Sequence, residues 1–418
     1  MRILLSAGEV SGDIAAARLA QKLLELDPDA ELFGLGGARM AAAGVHLDAA
    51  ADHLGTVGVT EALAAVPSLW RAIAGVRRRL RTSRPDVAVL IGNDVFNTLL
   101  ARWLRTRRVP TLSYFPPQVW VWRAVAPFIA RSFDTILTSF PEEHAVYEKA
   151  GVGCGTTVSY VGHYLADTLR PPTPDEKLAC RRRLDLPDEA RVVALLPGSR
   201  TQEVRKLCGV LLDSAGLLLA RAGDLALVVP VAEASHRAHV EAEAARRGLT
   251  LRIHFTDDSH GAMRAADLAI LASGTASLEA ALLGVPMVIV YRVSALTFLV
   301  LRTVIAVGLI ESGTVGLPNL ILRRRAVPEF AQSPATPDAI AGEAWPLLVD
   351  AGRRAETHAA LREVASRVTK AGSIEAAARA TVALAQGRAR SAAAAAATAP
   401  AALVSSESRG AEGMEVRP

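Results

Sequence analysis

Cysteine is nearly missing from this chain: Cys154, Cys180 and Cys208 are the only three in 418 residues. They share no paired spacing, which excludes a disulfide framework and a cysteine-built zinc cluster and fits a reducing, cytoplasmic setting. Aromatic residues are scarce as well, at 5% of the chain, and no basic stripe is interleaved with them, so no nucleic-acid surface is indicated. A run long enough to cross a bilayer is also lacking. The longest apolar stretch, Ala295 to Ile310, carries Arg302 near its middle, whereas a span needs about 20 apolar residues and an arginine in lipid is costly. A buried or interfacial helix is expected there. The opening Met1-Arg2-Ile3-Leu4-Leu5-Ser6-Ala7 is too brief for the apolar core of a signal peptide, so no export signal is expected. His46, His53, His144 and His254 share no metal-ligand spacing, and neither a metal nor any other cofactor is expected.

What is present is apolar mass in a regular rhythm. Hydrophobic residues make up 51% of the chain, enough for two cores at a length that exceeds the usual single-core size. Short apolar runs alternate with helical patterns, as in sheets of parallel strands joined by helices. In the first half these are Ile3 to Ala7, Val87 to Ile91, Thr111 to Tyr114 and Thr135 to Ser139. Arg170-Pro171-Pro172-Thr173-Pro174 then denies helix and central strand alike and marks a linker. Beyond it, Val192 to Leu196, Leu225 to Val229, Leu251 to Phe255, Leu268 to Ala272 and Met287 to Val290 predict a second sheet of the same kind. The expected fold class is α/β, two doubly wound domains facing a cleft, with residues 1–170 in the first domain and 171–345 in the second. C-terminal helices over 346–386 would pack across the domains, and the Ala- and Ser-rich stretch 387–418 offers no packable stripe and reads as a disordered tail.

Two loops carry the chemistry. Val192 to Leu196 ends in Pro197-Gly198-Ser199-Arg200, a small-residue turn that places a guanidinium where a helix begins. Helix-start amides lack internal partners and carry partial positive charge, and an arginine beside them can grip phosphoryl oxygens bidentately. Such a turn with a surface arginine is also common in α/β proteins, so it does not decide the matter alone. A second loop of the same type follows Leu268 to Ala272: Ser273-Gly274-Thr275-Ala276-Ser277-Leu278-Glu279. Ser273 or Thr275 can cap that helix, Gly274 admits close approach of a ligand, and Glu279 can accept hydrogen bonds from a ribose diol. Its plainer role is to complement the helix dipole. Two such loops in one parallel-sheet domain predict a nucleoside diphosphate at the carboxyl ends of the strands.

The formal net charge of +5 is modest, but Arg71, Arg77, Arg78, Arg79, Arg81 and Arg84 crowd one segment. Leu63, Val66, Trp70, Ile73 and Leu80 recur through it at helical spacing, with Pro67 marking a possible first turn. The segment reads as a docking face for anionic lipid with Trp70 at headgroup level, or as a domain helix whose arginines are merely solvated. The first domain also offers Ser6-Ala7-Gly8-Glu9-Val10-Ser11-Gly12-Asp13 after its first strand and Phe33-Gly34-Leu35-Gly36-Gly37 as a loop after its second. Neither matches the three-glycine dinucleotide pattern. Both are expected at the cleft rim, on the acceptor side of a transferase.

Several of these segments together resemble the lipid-A-disaccharide synthases: Ala7 to Asp13, Val119-Trp120-Val121-Trp122-Arg123, Val161-Gly162-His163, Leu195 to Arg200, Ser273 to Glu279, Tyr291-Arg292 and Leu317-Pro318-Asn319-Leu320, in order from residue 1 to about residue 385. The resemblance implies the GT-B fold, two Rossmann-like domains, and an inverting, metal-independent glycosyltransferase, peripheral on the inner face of the cytoplasmic membrane. It implies transfer of the sugar from UDP-2,3-diacylglucosamine to the 6-hydroxyl of 2,3-diacylglucosamine 1-phosphate, giving the lipid A disaccharide 1-phosphate and UDP. By the same resemblance Gly198, Ser199, Arg200, Ser273, Gly274, Thr275, Ser277, Glu279 and Asn319 hold UDP. Glu9 and Asp13 are acidic groups of the opening loop, and Tyr114, Trp120, Trp122 and Arg123 border the acceptor, with Trp70, Arg77 and Arg78 on the lipid side. A homodimer is compatible with it. His163 falls near the hinge, where a structural role is favoured over ligand contact.

One departure bears on catalysis. The family reads Ile-Asp-Ala-Pro-Asp-Phe-Asn where this chain has Ile91-Gly92-Asn93-Asp94-Val95-Phe96-Asn97, so both family aspartates, the second of them the proposed base, are replaced. Nearby, Ser113-Tyr114-Phe115-Pro116-Pro117-Gln118 also differs from the family's His-Tyr-Val-Ser-Pro-Ser. A carboxylate can take the acceptor's proton and a valine cannot. Asp94 is therefore the first candidate base, with a helix N-cap before Phe96 as its other reading, and Glu9 or Asp13 are the substitutes. The alternative is a membrane-associated UDP-sugar- or glycolipid-binding paralogue with altered or lost transfer. A third reading, the related epimerases acting on UDP-N-acetylglucosamine, accounts for the nucleotide loops but not for the basic helix.

Overall fold

The computed structural model describes residues 1–50, 73–92, 94–119, 123–293, 303 and 314–387, with Ala50 and Asp94 as backbone only. Trp70, Trp120, Trp122, the stretch Ala295 to Ile310 apart from Thr303, and the tail from 388 onward lie outside the described residues.

Two wholly parallel sheets form the frame. The first orders its strands β3-β2-β1-β4-β5-β6-β7 and the second β10-β9-β8-β11-β12-β13. In the first, β1 is Arg2–Ala7, β2 Glu31–Gly36, β3 His46–Ala50, β4 Val87–Ile91, β5 Thr111–Tyr114, β6 Thr135–Thr138 and β7 Thr157–Tyr160. In the second, β8 is Arg191–Leu196, β9 Leu225–Pro230, β10 Ile253–Thr256, β11 Leu268–Ala272, β12 Met287–Tyr291 and β13 Glu329–Ala331. Helices cover both faces, which is why the central strands are continuous apolar runs: every residue of β4 and of β11 is buried.

The second strand differs from expectation. Phe33, Gly34, Leu35 and Gly36 lie inside β2 rather than in a loop after it. A Cβ on Gly34, at φ +144°, would collide with the Leu5 carbonyl of β1, and one on Gly36 would collide with Met40. These glycines serve close packing within the sheet and against the next helix.

The proline-rich segment lies between β7 and β8. Thr173 caps helix Pro174–Arg183, with Glu176 returning to the Thr173 amide in a reciprocal pair. At the far end the chain crosses back: helix Ser373–Ala385 packs on helix Val10–Leu26 of the first half. There the Tyr114 hydroxyl lies 3.0 Å from Ser373 Oγ, which donates to the Gly162 carbonyl, and Lys22 pairs with Glu375 at 2.8 Å. No helix among the described residues is long and apolar enough to cross a membrane.

Candidate active site

Each sheet reverses its winding once, between β1 and β4 in the first and between β8 and β11 in the second. At such a switch point the connections leave in opposite directions and open a crevice at the carboxyl ends of the strands. The loops singled out by sequence follow those four strands.

After β8, Gly198 takes φ +113° and Arg200 stands in extended backbone as N-cap of helix Thr201–Arg221. Glu203, one turn in, folds back over the turn. Its Oε2 accepts from the amides of Ser199 and Arg200 at 3.3 and 3.4 Å, and its Oε1 from Arg200 Nη1 at 2.9 Å. A Cβ on Gly198 would come within 2.5 Å of that carboxylate, so glycine is required on both counts. Glu203 was not among the expected site residues. The signal that could have found it is a glutamate at the third helical position, where a capping glutamate belongs.

After β11, Ser273 Oγ donates to the Val315 carbonyl at 2.9 Å and Ser277 Oγ to the Gly274 carbonyl at 2.7 Å. Gly274 is exposed at φ +148° with open space where a Cβ would stand, which leaves the approach to the Thr275–Leu282 helix clear. Thr275 is the first residue of that helix and Glu279 lies in its second turn, its side chain 13% exposed and Oε2 3.4 Å from His260 Nε2. Asn319 is elsewhere engaged. Its Nδ2 donates to the Val327 carbonyl and Glu329, and its Oδ1 accepts from the Ala326 and Val327 amides. With its hydrogen-bonding capacity spent on its own loop, Asn319 shapes the second half.

In the first half Glu9 and Asp13, four residues apart, have different surroundings. Asp13 is 6% exposed, and its carboxylate accepts from the amides of Gly37, Arg39 and Met40 at 2.8, 3.1 and 3.1 Å. It caps the helix Ala38–Ala42. Glu9 precedes helix Val10–Leu26 and projects across the cleft, where its Oε2 meets Arg200 Nη2 at 3.2 Å. Its other oxygen lies over Gly92, where a Cβ would be 2.9 Å away and where φ is +59°. The loop beneath is clamped by Asn97, also missed from sequence: Nδ2 donates to the carbonyls of Ser6, Ile91 and Gly92, and Oδ1 accepts from Ser6 Oγ at 2.7 Å.

Asp94 opens helix Asp94–Thr106, so the helix begins two residues before Phe96 and Asp94 is its first residue rather than its cap; its side chain lies outside the described residues. Val95, at the position of the family's second aspartate, is 73% exposed. The structure does not bring Tyr114 to the acceptor side: it is fully buried, bonded to Ser373. Arg123 is exposed at the start of the short turn Arg123–Val125. Arg77 and Arg78 are exposed on a helical segment, 73–82, whose Val76 is buried with Ile73 and Leu80 against the first sheet's core. Over these residues the segment is a domain helix with a solvated basic face. His163 is 1% exposed, accepts from the Leu165 amide and stacks on Tyr164; burial holds its pKa down to about 3, so the ring is neutral and structural. No group of three or more potential metal ligands gathers among the described residues.

A family model described as lipid-A-disaccharide synthetase matches residues 3–383. The lipid-A-disaccharide synthase of Pseudomonas aeruginosa (strain UCBPP-PA14) is 40% identical over 372 residues, covering 88% of this chain and 95% of that protein. Among solved structures, the UDP-GlcNAc 2-epimerase from Neisseria meningitidis bound to UDP-GlcNAc is similar at a TM-score of 0.57 and 12% identity, covering 88% of this chain and 99% of that one. WaaG, a glycosyltransferase involved in lipopolysaccharide biosynthesis, is similar at 0.53 and 14%, covering 91% and 99%. At such identities the structural likenesses establish the architecture, two Rossmann-like domains in the GT-B arrangement. The sequence matches go further, and this chain belongs to the lipid-A-disaccharide synthase family.

Proposed function

We propose that the chain transfers diacylglucosamine from UDP-2,3-diacylglucosamine to the 6-hydroxyl of 2,3-diacylglucosamine 1-phosphate, with inversion and release of UDP. The observation that carries this reading is the pair of switch-point loops facing each other across the cleft, joined by the 3.2 Å contact of Glu9 with Arg200. Family membership favours it over a binding protein without transfer chemistry.

The donor's diphosphate lies between the Gly198-Ser199-Arg200 turn and the start of helix Thr275–Leu282, with Glu279 at the ribose. As the bond between sugar and phosphate breaks, negative charge gathers on the departing UDP. Arg200 and the helix-start amides stabilise that charge without a metal ion. The attacking hydroxyl approaches from the opposite face and must lose its proton. Glu9 is the base in this reading, with Asp94, the first candidate from sequence, as the other carboxylate in question: Asp13 is consumed by three amides, Val95 has no carboxylate, and Glu9 already reaches the donor loop from the acceptor side. A diphosphate draws Arg200 away from Glu9, so donor binding frees the carboxylate to accept a proton. The acceptor's acyl chains enter from the membrane side, with the exposed Arg77, Arg78 and Arg123 of the first half available to anionic headgroups and the protein peripheral on the inner leaflet.

Incubating the full chain with both substrates in mixed micelles tests the reading. Disaccharide and UDP in equal amounts are the expected products, and binding of UDP-diacylglucosamine with no turnover would overturn it.

A further inference from the structure

Glu279 carries a second feature that the nucleotide reading does not require. Its side chain is 13% exposed, and among the described residues the basic group that approaches its carboxylate is His260, whose Nε2 stands 3.4 Å from Oε2. An ionised carboxylate has about four acceptor positions, so most of its capacity is open. His260 comes from the turn after β10, in the short helix Ser259–Ala265, and is separated from Glu279 by the whole of β11 in sequence. The Tyr164 hydroxyl, on a neighbouring turn, is buried with no hydrogen-bond partner among the described residues. Burial first, then the field of Glu279, pushes its acidity further from ionisation, so it remains a phenol with a proton to donate. The helix of Glu279 packs against the turn that holds Tyr164. A vicinal diol suits a carboxylate with acceptor capacity to spare, since each of its hydroxyls can donate.

Building on the nucleotide reading of this site, we propose that His260 is a positioning residue for ribose recognition, fixing the rotamer of Glu279 so that its carboxylate meets both hydroxyls of the nucleoside diphosphate's ribose. The imidazole holds one oxygen, and the carboxylate plane is then set for bidentate contact with the diol. Without that brace, Glu279 is free to rotate, and the two hydrogen bonds no longer form together.

Calorimetric titration of the full chain with UDP and with 2′,3′-dideoxy-UDP tests this. The wild-type chain is expected to prefer UDP by about tenfold or more, the scale of two hydrogen bonds to a charged group offset by desolvation. His260→Ala should lower that preference about threefold to tenfold while binding of the dideoxy ligand stays unchanged, a pattern that general damage to the loop would not give. His260→Gln, which can still donate to the carboxylate, should recover much of it. If Glu279→Gln loses the preference while His260→Ala keeps it, the role of His260 is overturned and the nucleotide site stands. If Glu279→Gln discriminates like the wild type, or the wild-type chain binds no UDP, the ribose assignment itself fails and this proposal with it.

Discussion

Replacing Glu9 by glutamine separates its proposed role in catalysis from any role in holding the protein together. The side chains of the Glu9–Arg200 pair are 30% and 36% exposed, and an ion pair that wet contributes at most about 1 kcal/mol to stability. Glutamine keeps the shape and one acceptor oxygen above Gly92. Thermal unfolding should therefore shift by no more than a few degrees. Turnover should fall by about two to four orders of magnitude, the range for loss of a positioned base. Nucleotide affinity should move the other way. A diphosphate oxygen on the far side of the Arg200 guanidinium would stand about 6 Å from the Glu9 charge, and at water-like dielectric each unit charge there costs about 0.7 kcal/mol, about threefold in affinity. Glu9→Gln should thus bind UDP at least about threefold more tightly while transferring sugar far more slowly. Initial rates with saturating donor and acceptor, beside UDP titration of the same preparation, read both quantities. Unchanged turnover would refute the assignment of the base, and weaker UDP binding would refute the partner exchange at Arg200.

Three further outcomes follow from other contacts. Arg200→Ala should lower kcat/KM by about two to three orders of magnitude, by analogy with loss of a preorganised donor at the leaving group, and steady-state rates with normal efficiency would contradict its placement at the diphosphate. Asp13→Ala leaves three amides without their acceptor and should cost about 2–3 kcal/mol, read as a melting point lowered by several degrees, with the rate per folded molecule close to normal. His163 is held neutral by burial, at a pKa of about 3 against 6.5 unfolded; the unfolded chain then binds more protons between those values, so stability is full above about pH 6.5 and falls as pH drops toward 3, by up to about 1.4 kcal/mol per unit. Denaturant unfolding of His163→Asn at pH 7 and pH 5 should show a shallower decline than the wild type, the remaining slope coming in part from His144 and His358, which burial also pushes down.

Sequence made the central strands plain and the edges obscure. β4 and β11 stand where the apolar runs were expected, because a parallel strand buried on both faces is a nearly continuous apolar run. β3 and β7 were not anticipated: they are the outermost strands of their sheet, and His46–Ala50 and Thr157–Tyr160 mix polar with apolar residues. β13, an edge strand of three residues, is too short to show a period at all. The glycines of β2 pointed the wrong way for a related reason. Glycine usually marks a turn, yet at Gly34 it marks the approach of a neighbouring carbonyl, a relation between strands that no local window contains.

Within the site, residue type was legible and hydrogen-bond occupancy was not. Glu9 and Asp13 belong to one motif and carry the same charge, but only Asp13 has its oxygens filled, by amides more than twenty residues away. Helical period supplies part of the distinction. Asp13 shares the buried face with Ala16, Ala17 and Ala20, at spacings of three, four and seven, whereas Glu9 precedes the helix in extended backbone. An acid on the apolar stripe of a helix must find donors inside the protein, since burying it unpaired is too costly, and it is thereby removed from chemistry. An acid at the cap position faces the cleft and stays available. Tyr114 and Asn319 obey the same rule: each lies in an otherwise apolar buried setting, and each has its polar atoms engaged by the fold. Glu279 breaks it, a largely buried carboxylate on the second half's helix with capacity unspent, and that exception is the physical reason to look for its missing partner in a ligand rather than in the chain.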